Sequence, residues 1–535
     1  MIKSIISLSF LIGLNLNLSA QSDTCWTKSY GGSGSEAPGF GSGYFGAPEV
    51  KSTVDSNNNI WITCASTSND GDVGSNFGSN DIWVIKLNPD GDTLLTKVIG
   101  GSQNDIPYDI QLSPSEGVLI AGLSSSSDVD FNTNAGLEDG ILLSLDSQGN
   151  IEWIQNYGGS QGDMFFAIEP YSNGYYLVGS TGSVDGDIND NSNLGSIEAW
   201  IAKVDFNGNL IWNRTTSGAT QNLDYSEVFW DATVINSDQD IVAQGITGDF
   251  SDFNTDDILM VRYDSVGNKI WQNEFGSNGR DIANGVEHSV ITNEIIGTSM
   301  VTSATGDVNS YNGGQGDFWV YSVDLDGNLT NQISLGGTDI DYPYSISTSP
   351  TNTLFLSGIT QSTDGIMNTT SYGGWDFWAA EINPNDLDTL QTIRLGGSLN
   401  DYLHAVNFRN DGKIIAVGRS RSADQFVQSN QGASDLFVAC LTNEPSVVVD
   451  LSSYTEPEEI RFFPNPFSQE ISIKSSTDLN GSIFTIRDAT GRVVYSTTVS
   501  NNQSKFRMPE DFRAGVYHVI LISQNSVVQA KIIKN

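Results

Sequence analysis

The sequence predicts an all-β protein, a seven-bladed β-propeller followed by a second, smaller domain. Three observations predict this: a glycine-rich element that recurs seven times, four short β-type runs in each repeat, and a change of charge near residue 460. Glycine contributes 55 residues, aromatic residues 10% and charged residues only 16%, a composition typical of loop-rich β proteins. Helical bundles and coiled coils are excluded because strong helix formers are few.

The repeat is marked by a Gly-Gly-Ser-like element. Its second glycine position falls at residues 32, 101, 159, 218, 276, 337 and 397, so the copies are 58 to 69 residues apart. An acidic residue follows shortly in each copy: Glu36, Asp105, Asp163, Asp224, Asp281, Asp341 and Asp401. A fixed period of this length indicates a repeat architecture in which each copy is one structural unit.

Each repeat holds four short strands. In the second copy we predict them at Tyr108–Leu112, Gly117–Gly122, Asp139–Leu145 and Ile151–Asn156. A turn with Gly149 at its left-handed position joins the last two strands. Four strands in about 60 residues favour a propeller blade over a solenoid coil.

The count of strands predicts how the ring closes. The first three strands of a blade occur seven times, the last at Asp435–Leu441, and no fourth strand follows that copy. An unassigned strand stands at Thr24–Tyr30, and its Trp26 matches Trp153 in the fourth strand of the second copy. We therefore expect the N-terminal strand to complete blade seven, which removes the exposed sheet edges.

The three cysteines are Cys25, Cys64 and Cys440. Alignment of the repeats places Cys440 opposite Cys25 across the strands that close the ring. We predict a disulfide between them, because oxidising compartments permit such bonds and a long closed loop favours them. Cys64 aligns with a buried strand position and is predicted to be a free thiol. The alternative is that all three cysteines are inert thiols.

Charge divides the chain into segments. The net charge is −40, yet residues 460–535 hold nine basic and five acidic residues. We predict a signal peptide at residues 1–20, the propeller at 21–444, a linker at 445–459 and a separate domain at 460–535. The strong negative charge excludes nucleic acid as a partner. No internal apolar run is long enough for a transmembrane segment.

The C-terminal segment carries four landmarks in order. These are Phe463-Pro464-Asn465-Pro466-Phe467, then Asp488-Ala-Thr-Gly491-Arg492, then Gly515-Val516-Tyr517, and a terminal Lys531-Ile-Ile-Lys534. The segment resembles the type A C-terminal sorting domain of the type IX secretion system of Bacteroidetes.

The resemblance implies an immunoglobulin-like β-sandwich and the type IX secretion machinery as partner. It also implies export through the periplasm, removal of the domain, and release or attachment to surface lipopolysaccharide. The alternative is an ordinary β-sandwich accessory module.

Acidic loops recur between the second and third strands of the blades. They place alternating oxygen donors at Asp128, Asp130, Asn132, Asp185, Asp187 and Asn189. Such donors suit Ca²⁺, which takes six to eight oxygen ligands. The alternative is that these side chains accept backbone N–H groups in Asx-turns. Both interpretations stay open at this point.

Loop aromatics are the candidate ligand-binding residues. Tyr372 and Trp375 precede the third strand of blade six, and Tyr44 and Phe45 lie in an insertion of blade one. Exposed aromatic rings among polar residues suit the apolar faces of sugars. The alternative is local packing within each loop.

No catalytic motif stands out in the sequence. The histidines, His288, His404 and His518, fall in different repeats or domains, and a zinc site needs three or four ligands that converge. We therefore predict a secreted or surface-exposed, non-catalytic module that binds a glycan or a protein. The alternatives are a carbohydrate-active hydrolase or lyase with carboxylates in the central funnel, and a structural spacer.

Overall fold

The computed structural model describes two units, which divide between Ser446 and Val447. In the first unit it describes residues 24–38, 49–188, 196–216, 226–235, 239–249, 256–367 and 370–442. In the second it describes residues 461–463, 467, 469–474, 479, 483–487, 493–499, 505–508, 515–523 and 526–534. The predicted signal peptide and linker lie outside the described residues.

The first unit consists of seven four-stranded antiparallel sheets, each running outward from an inner strand. Blade one is β2 Val50–Val54, β3 Ile60–Ser66, β4 Asp81–Leu87 and β5 Thr93–Ile99. Blade two is β6 Asp105–Leu112, β7 Val118–Ser124, β8 Asp139–Leu145 and β9 Ile151–Tyr157. Blade three is β10 Asp163–Tyr171, β11 Gly174–Thr181, β12 Glu198–Asp205 and β13 Leu210–Thr215. Blades four and five are β14 Ser226–Ile235, β15 Asp240–Gly248, β16 Asp257–Tyr263 and β17 Lys269–Phe275; and β18 Asp281–Ser289, β19 Glu294–Val301, β20 Asp317–Val323 and β21 Leu329–Leu335.

Blade six is β22 Asp341–Thr348, β23 Leu354–Thr360, β24 Asp376–Ile382 and β25 Thr389–Leu395. Blade seven is β26 Asp401–Phe408, β27 Lys413–Ser420 and β28 Asp435–Thr442, with β1 Thr24–Tyr30 as its outer strand. The predicted closure of the ring by the N-terminal strand is therefore confirmed. Among the described residues, a 3-10 turn at Gly365–Met367 is the helical element, and no helix could span a bilayer.

The second and third strands of the blades are buried along almost their whole length, because neighbouring blades cover both faces of each sheet. Large side chains fill the space between blades, and five tryptophans are almost completely inaccessible: Trp61, Trp83, Trp200, Trp319 and Trp378. The outer strands keep exposed positions, as at Ile211 and Ile270.

In four of the seven blades, a tryptophan of the outer strand packs on a glycine in the turn of the following blade. The indole N–H of Trp271 donates to the Leu325 carbonyl at 2.9 Å, and its ring lies against Gly327 in the turn of the following blade. Trp26 makes the same contact with the Pro89 carbonyl at 3.1 Å, from blade seven to blade one. Gly327 has a φ of +89°, so the turn requires glycine for its backbone as well as for the approach of the indole.

One repeat differs from the predicted alignment. The acid that begins the inner strand of blade four is Glu227, whose N–H donates to the Ile197 carbonyl as that of Asp281 donates to the Asp256 carbonyl. The sequence analysis assigned Asp224, which lies outside the described residues. The shift is explained by a longer connection in this copy, which spacing alone does not locate.

The second unit contains two antiparallel sheets. One has the order β29 Arg461–Phe463, β30 Glu470–Lys474, β33 Lys505–Arg507; the other has the order β32 Val493–Thr498, β31 Ile483–Arg487, β34 Gly515–Ser523, β35 Ser526–Lys534. Phe484, Phe506 and Tyr517 are among the buried residues of their common core. The immunoglobulin-like topology stays a prediction.

Candidate functional site

The inner strands of the seven blades contact one another in order, and that of blade one contacts that of blade seven. They therefore line a central channel. Six of them carry a β-bulge at the same place, and the unpaired residues are Tyr108, Phe166, Trp230, Asn284, Tyr344 and His404. No sequence prediction includes this set, although each member stands three residues after the acid at the start of its inner strand.

The bulged residues of neighbouring blades pack on one another. The ring centroids of Tyr108 and Phe166 are 4.6 Å apart, and those of Phe166 and Trp230 are 4.5 Å apart. Their exposed fractions are only 9%, 6% and 7%. The aromatic side chains thus close one side of the channel rather than standing open toward a ligand.

His404 is the most enclosed polar group of this set. Its side chain is fully buried, and neither ring nitrogen has a hydrogen-bond partner among the described residues. The ring of Tyr344 packs edge-on at 4.7 Å. Burial lowers the pKa of His404 well below its usual value, and the nearby charges of Arg419 and Lys51 lower it further. The imidazole is therefore neutral and screened from bulk solvent.

Carboxylates follow the bulge along the inner strands, and each reaches the next blade. Asp109 Oδ2 accepts the Ile168 N–H at 2.8 Å, and Glu169 Oε1 accepts the Val234 N–H at 2.9 Å. Asp231 Oδ2 accepts the Val286 N–H at 3.0 Å. Because these acceptors satisfy backbone donors of the neighbouring blade, they act as ties between blades.

The ties continue around the channel with other residue types. Glu287 accepts the Thr348 hydroxyl at 3.4 Å, and the Ser347 hydroxyl donates to the Val406 carbonyl at 2.9 Å. Asn407 Nδ2 donates to the Ser52 carbonyl at 2.9 Å, which joins blade seven to blade one. The Lys51 ammonium lies 3.9 Å from Asp109 Oδ1 and joins blade one to blade two, so each blade is tied to its neighbour around the channel.

The channel carboxyls resist ionisation. Burial raises the pKa of Asp231 to about 6, against the attraction of Lys51, and burial with the nearby charge of Asp231 raises the pKa of Glu287 to about 8. Burial also raises the pKa of Glu169 well above its usual value. Burial raises the pKa of Asp109 as well, and the positive charge of Lys51 opposes the rise in the pKa of Asp109 and of Asp231, so it offsets part of the repulsion among these acids.

The candidate calcium ligands lie in the acidic loops and already have backbone donors. Asp128 Oδ1 accepts the Ser102 N–H at 2.8 Å, and Asp130 Oδ2 accepts the Gly100 N–H at 3.1 Å. Asp185 and Asp187 accept the N–H groups of Ser160 at 2.7 Å and Gly158 at 3.1 Å.

The carboxylates accept backbone N–H groups, as the alternative interpretation expects, but the donors lie in the Gly-Gly-Ser-like element 25 to 30 residues earlier in the chain rather than in local Asx-turns. Asn132 is exposed, and Asn189 lies outside the described residues. Over the described residues, no three or more His, Cys, Asp or Glu side chains are grouped to hold a metal. Calcium binding stays a prediction.

The two candidate aromatics of blade six have different surroundings. Tyr372 packs edge-on against Phe426 at 5.2 Å, which is contact within the loops. Trp375 is half-buried and packs edge-on against Tyr402 at 5.3 Å. Tyr44 and Phe45, the other two candidates, lie outside the described residues.

Polar groups surround Trp375 at the boundary between blades six and seven. The Trp375 N–H donates to Asn400 Oδ1 at 3.3 Å, and its indole N–H has no partner among the described residues. The Arg421 N–H donates to the Asn400 carbonyl at 3.1 Å, and the Arg421 side chain is exposed. We call Trp375, Asn400, Tyr402 and Arg421 the Trp375 cluster.

The cysteines lie where the ring closes, with a register different from that predicted. Cys440 pairs with Trp26 rather than with Cys25, because a bulge between Thr24 and Trp26 shifts the pairing by one residue. Cys25 is exposed and Cys440 buried, and the two sulfurs are not bonded in this structure. Their thiols are nevertheless in hydrogen-bond contact, which together with burial raises the pKa of Cys440 to about 12. The disulfide stays a prediction; Cys64 is buried and free, as predicted.

The landmarks of the C-terminal segment fall partly on β34. Gly515 begins that strand, and the Tyr517 side chain is buried in the core of the second unit. The other predicted sorting residues lie outside the described residues: Pro464, Asn465, Pro466, Asp488, Gly491 and Arg492.

Comparisons with solved structures gave distant similarities. A protein of unknown function from Bacteroides caccae is 9% identical with a TM-score of 0.31, over 53% of this chain and 80% of that one. The α-L-arabinofuranosidase Arb93A from Fusarium graminearum is 9% identical with a TM-score of 0.38, over 78% and 98%. The polysaccharide lyase Uly1 is 10% identical with a TM-score of 0.40, over 76% and 91%. These similarities bear on neither activity nor ligand.

A comparison with curated proteins gave no match. Residues 461–535 match the family model of the secretion system C-terminal sorting domain. This agrees with the predicted resemblance and covers the whole second unit from its first described strand. The chain is thus a seven-bladed β-propeller that carries a type IX C-terminal sorting domain, which indicates export to the cell surface or the extracellular space.

Proposed function

We propose that the exported propeller is a non-catalytic binding module whose ligand is a glycan or a protein. The observation that carries this proposal is the engagement of the channel carboxylates. Asp109, Glu169 and Asp231 each accept a backbone N–H from the neighbouring blade. A hydrolase or lyase would need such groups free to reach a substrate, with a pair at a defined separation.

The Trp375 cluster supports a glycan as the ligand. It combines a half-buried indole with an amide and an exposed guanidinium. Aromatic faces pack on the apolar faces of sugars, while amide and guanidinium groups hydrogen-bond to hydroxyl and carboxylate substituents. The ring of Tyr402, held over Arg419 at 4.2 Å, fixes the wall against which Trp375 packs.

Two further features belong to this proposal. Ca²⁺ would act, if it binds, by stiffening the acidic loops that flank the Gly-Gly-Ser turns. Attachment to surface lipopolysaccharide would follow removal of the sorting domain and would display the propeller at the outer surface. The secreted form of the protein would then present the same loops to a soluble ligand.

The proposal is tested with the purified full chain and a panel of soluble and insoluble polysaccharides, with Ca²⁺ or with chelator. Depletion of protein from solution measures binding, and new reducing or unsaturated ends measure cleavage. We expect depletion without product. The Trp375→Ala variant should lose at least tenfold in affinity, the effect of removing one well-stacked aromatic contact worth about 1.5 kcal/mol.

The matched control is Phe206→Ala, which removes an aromatic ring that is 43% exposed in a turn of blade three. Its affinity should equal that of the unchanged protein. Release of product would contradict the non-catalytic proposal and direct attention to Glu169 and Glu287, which are partly exposed in the channel. An equal loss in both variants would contradict the location at the Trp375 cluster.

A further inference from the structure

At each boundary between blades, two acidic side chains approach each other, and all of them are buried except Asp257, which is half-buried. One acid is the first residue of the third strand of a blade. The other is the acid that follows the Gly-Gly-Ser-like element and leads into the next blade. The pairs are Asp81–Asp105, Asp139–Asp163, Glu198–Glu227, Asp257–Asp281, Asp317–Asp341, Asp376–Asp401 and Asp435–Glu36. None of the residues predicted from the sequence to bind calcium or another ligand belongs to these pairs.

The first glycine of the Gly-Gly element lies between the two acids. A Cβ on Gly396 would stand 2.5 Å from Asp376 Oδ1 and 3.1 Å from Asp401 Oδ2. At Gly336 the corresponding oxygens are Asp317 Oδ1 and Asp341 Oδ2. A side chain at either position would collide with both carboxyl groups, which explains the glycine at these two boundaries.

The close approach of two buried carboxyl groups is clearest at the boundary between blades five and six. Asp341 is satisfied, since it accepts from the hydroxyls of Thr360 and Ser362 and from the Gly337 N–H. Asp317 Oδ2 accepts the Asn312 N–H. Asp317 Oδ1, however, is buried and has no partner among the described residues.

The same unpartnered oxygen recurs in blades one, two and six. Asp81 Oδ1, Asp139 Oδ1 and Asp376 Oδ1 are buried without a partner among the described residues, and the three side chains are at most 2% exposed. An ionised, unpaired carboxylate in such a place is strongly destabilising. Two of them in one pocket cost more, because their charges repel. Some positive charge must therefore enter these boundaries.

One boundary pair has an arginine in direct contact. Between blades six and seven, Arg394 Nε donates to Asp376 Oδ2 at 2.8 Å, and both side chains are at most 1% exposed. The charge of Arg394 also acts on Asp341 at the preceding boundary and opposes the rise that burial causes in the pKa of that carboxyl. Between blades four and five, Arg280 lies 3.4 Å from Asp256, which is not a member of the boundary pair. The position that faces Trp319 as Arg394 faces Trp378 is Ser334, so Asp317 has a serine where Asp376 has its arginine.

We propose that the boundary pairs without an arginine are proton-binding sites, in which the two buried carboxyl groups together retain one proton at neutral pH. The proton removes the repulsion and supplies a donor to the unpartnered oxygen. Repetition of these pairs around the ring then makes the cohesion of the blades depend on pH, with the ring most tightly held under mildly acidic conditions.

The direction of the pKa shifts agrees with this geometry. Burial and the charge of Asp341 raise the pKa of Asp317 from 3.8 to about 7, and burial raises the pKa of Asp81 to about 6. The ionisable groups that face the Asp317–Asp341 pair are Tyr311 and Arg394. A carboxyl whose pKa is raised in the folded state stabilises the fold at low pH, and this stabilisation is lost as the pH rises through the folded value.

The test measures protonated carboxyl groups directly. Infrared spectra of the full chain at pH 7 should show the carbonyl band of protonated carboxylic acids. The band should shrink in Asp317→Asn, which removes the acid, and in Ser334→Arg, which introduces the cation found in blade six. The control is Thr330→Arg, at an exposed position of the same strand, which should leave the band unchanged.

Denaturant unfolding between pH 5 and pH 8 gives the second readout. For each proton taken up on folding, the folding equilibrium constant should fall about tenfold per pH unit as the pH rises. Ser334→Arg should reduce this slope by one proton, and Thr330→Arg should not.

Absence of the carbonyl band in the unchanged protein at pH 7 would overturn the proposal. Restoration of stability at pH 8 by millimolar Ca²⁺, without that band, would also overturn it and assign a metal ion to the boundaries. A Ser334→Arg variant with an unchanged band would refute the charge argument even if Asp317→Asn failed to fold.

Discussion

Cys25 and Cys440 lie on the two strands that join the N-terminus to the last blade, and their thiols are in hydrogen-bond contact. The equivalent side chains in blade two, Glu152 and Ser144, are also in contact, with Oε2 and Oγ 2.7 Å apart. The bulge therefore brings the two positions together in both blades. We expect oxidation to join the cysteines with little movement of the backbone.

Oxidised glutathione is the oxidant in this reaction and accepts the two electrons. The two thiols lose two protons and two electrons, a sulfur–sulfur bond forms, and the reagent is released as two molecules of reduced glutathione. Attack starts from Cys25, because it is exposed while Cys440 is buried with its pKa raised to about 12. The product closes a loop of about 415 residues, for which loop-closure entropy predicts a stabilisation of about 6 kcal/mol.

Removal of a disulfide from a native protein typically costs about 2–5 kcal/mol, so we expect about 4 kcal/mol here. Unfolding entropy of about 2 cal/mol/K per residue over a domain of this size converts that figure into a fall of 4–5 °C in Tm on reduction. Thermal unfolding of the oxidised and reduced full chain measures the difference. Alkylation of the denatured protein, followed by mass measurement, should find one free thiol before reduction and three after it.

The control variants separate the bond from the side chains. Cys25→Ser, Cys440→Ser and the double variant should share the Tm of the reduced protein, because each removes the same bond and their effects are not additive. Three free thiols after treatment with oxidised glutathione would refute the reasoning. So would a Cys25→Ser variant as stable as the oxidised protein.

Three other predictions concern stability and are checked by denaturant unfolding. Trp271→Ala should cost about 3 kcal/mol by breaking the lock to the next blade, whereas Ile270→Ala on the same strand should cost under about 0.5 kcal/mol because that side chain is half exposed. Gly336→Ala should cost about 3 kcal/mol or more through collision with the boundary carboxyls, whereas Gly412→Ala, with open space and a φ of +85°, should cost about 1 kcal/mol. Lys51→Met should destabilise the protein at pH 7 and much less at pH 5, since the channel carboxyls that lose their counter-charge become protonated in acid; an equal loss at both values would contradict the role of the charge.

Local patterns were sufficient to predict the strands and their number. The third strand of blade two, Asp139–Leu145, and the closing strand, Thr24–Tyr30, have the predicted bounds. Alternation, hairpin turns and the Gly-Gly-Ser period are properties of short segments, so they can be read without the fold. The sorting domain was recognisable for the same reason, because its landmarks are short and ordered.

Features that depend on a bulge were not predictable. A bulge inserts one residue into one strand and is decided by the fit of the two strands, which the spacing of repeats does not reveal. The pairing of Cys440 with Trp26 and the ring of unpaired residues that includes Tyr108 and His404 both arise in this way. The assignment of Asp224 in place of Glu227 failed because an altered connection length hides the true start of the inner strand.

By itself the sequence determined the fold class, the seven blades, the closing strand and the export signal, because each depends on periodicity or on a contiguous motif. The tertiary structure decided what the acids do. Asp109 and Glu169 are ties between blades, and Asp317 faces Asp341 across a glycine. These roles require residues far apart in the chain to meet in a buried place, where desolvation and repulsion, rather than residue type, set the chemistry of a carboxyl group.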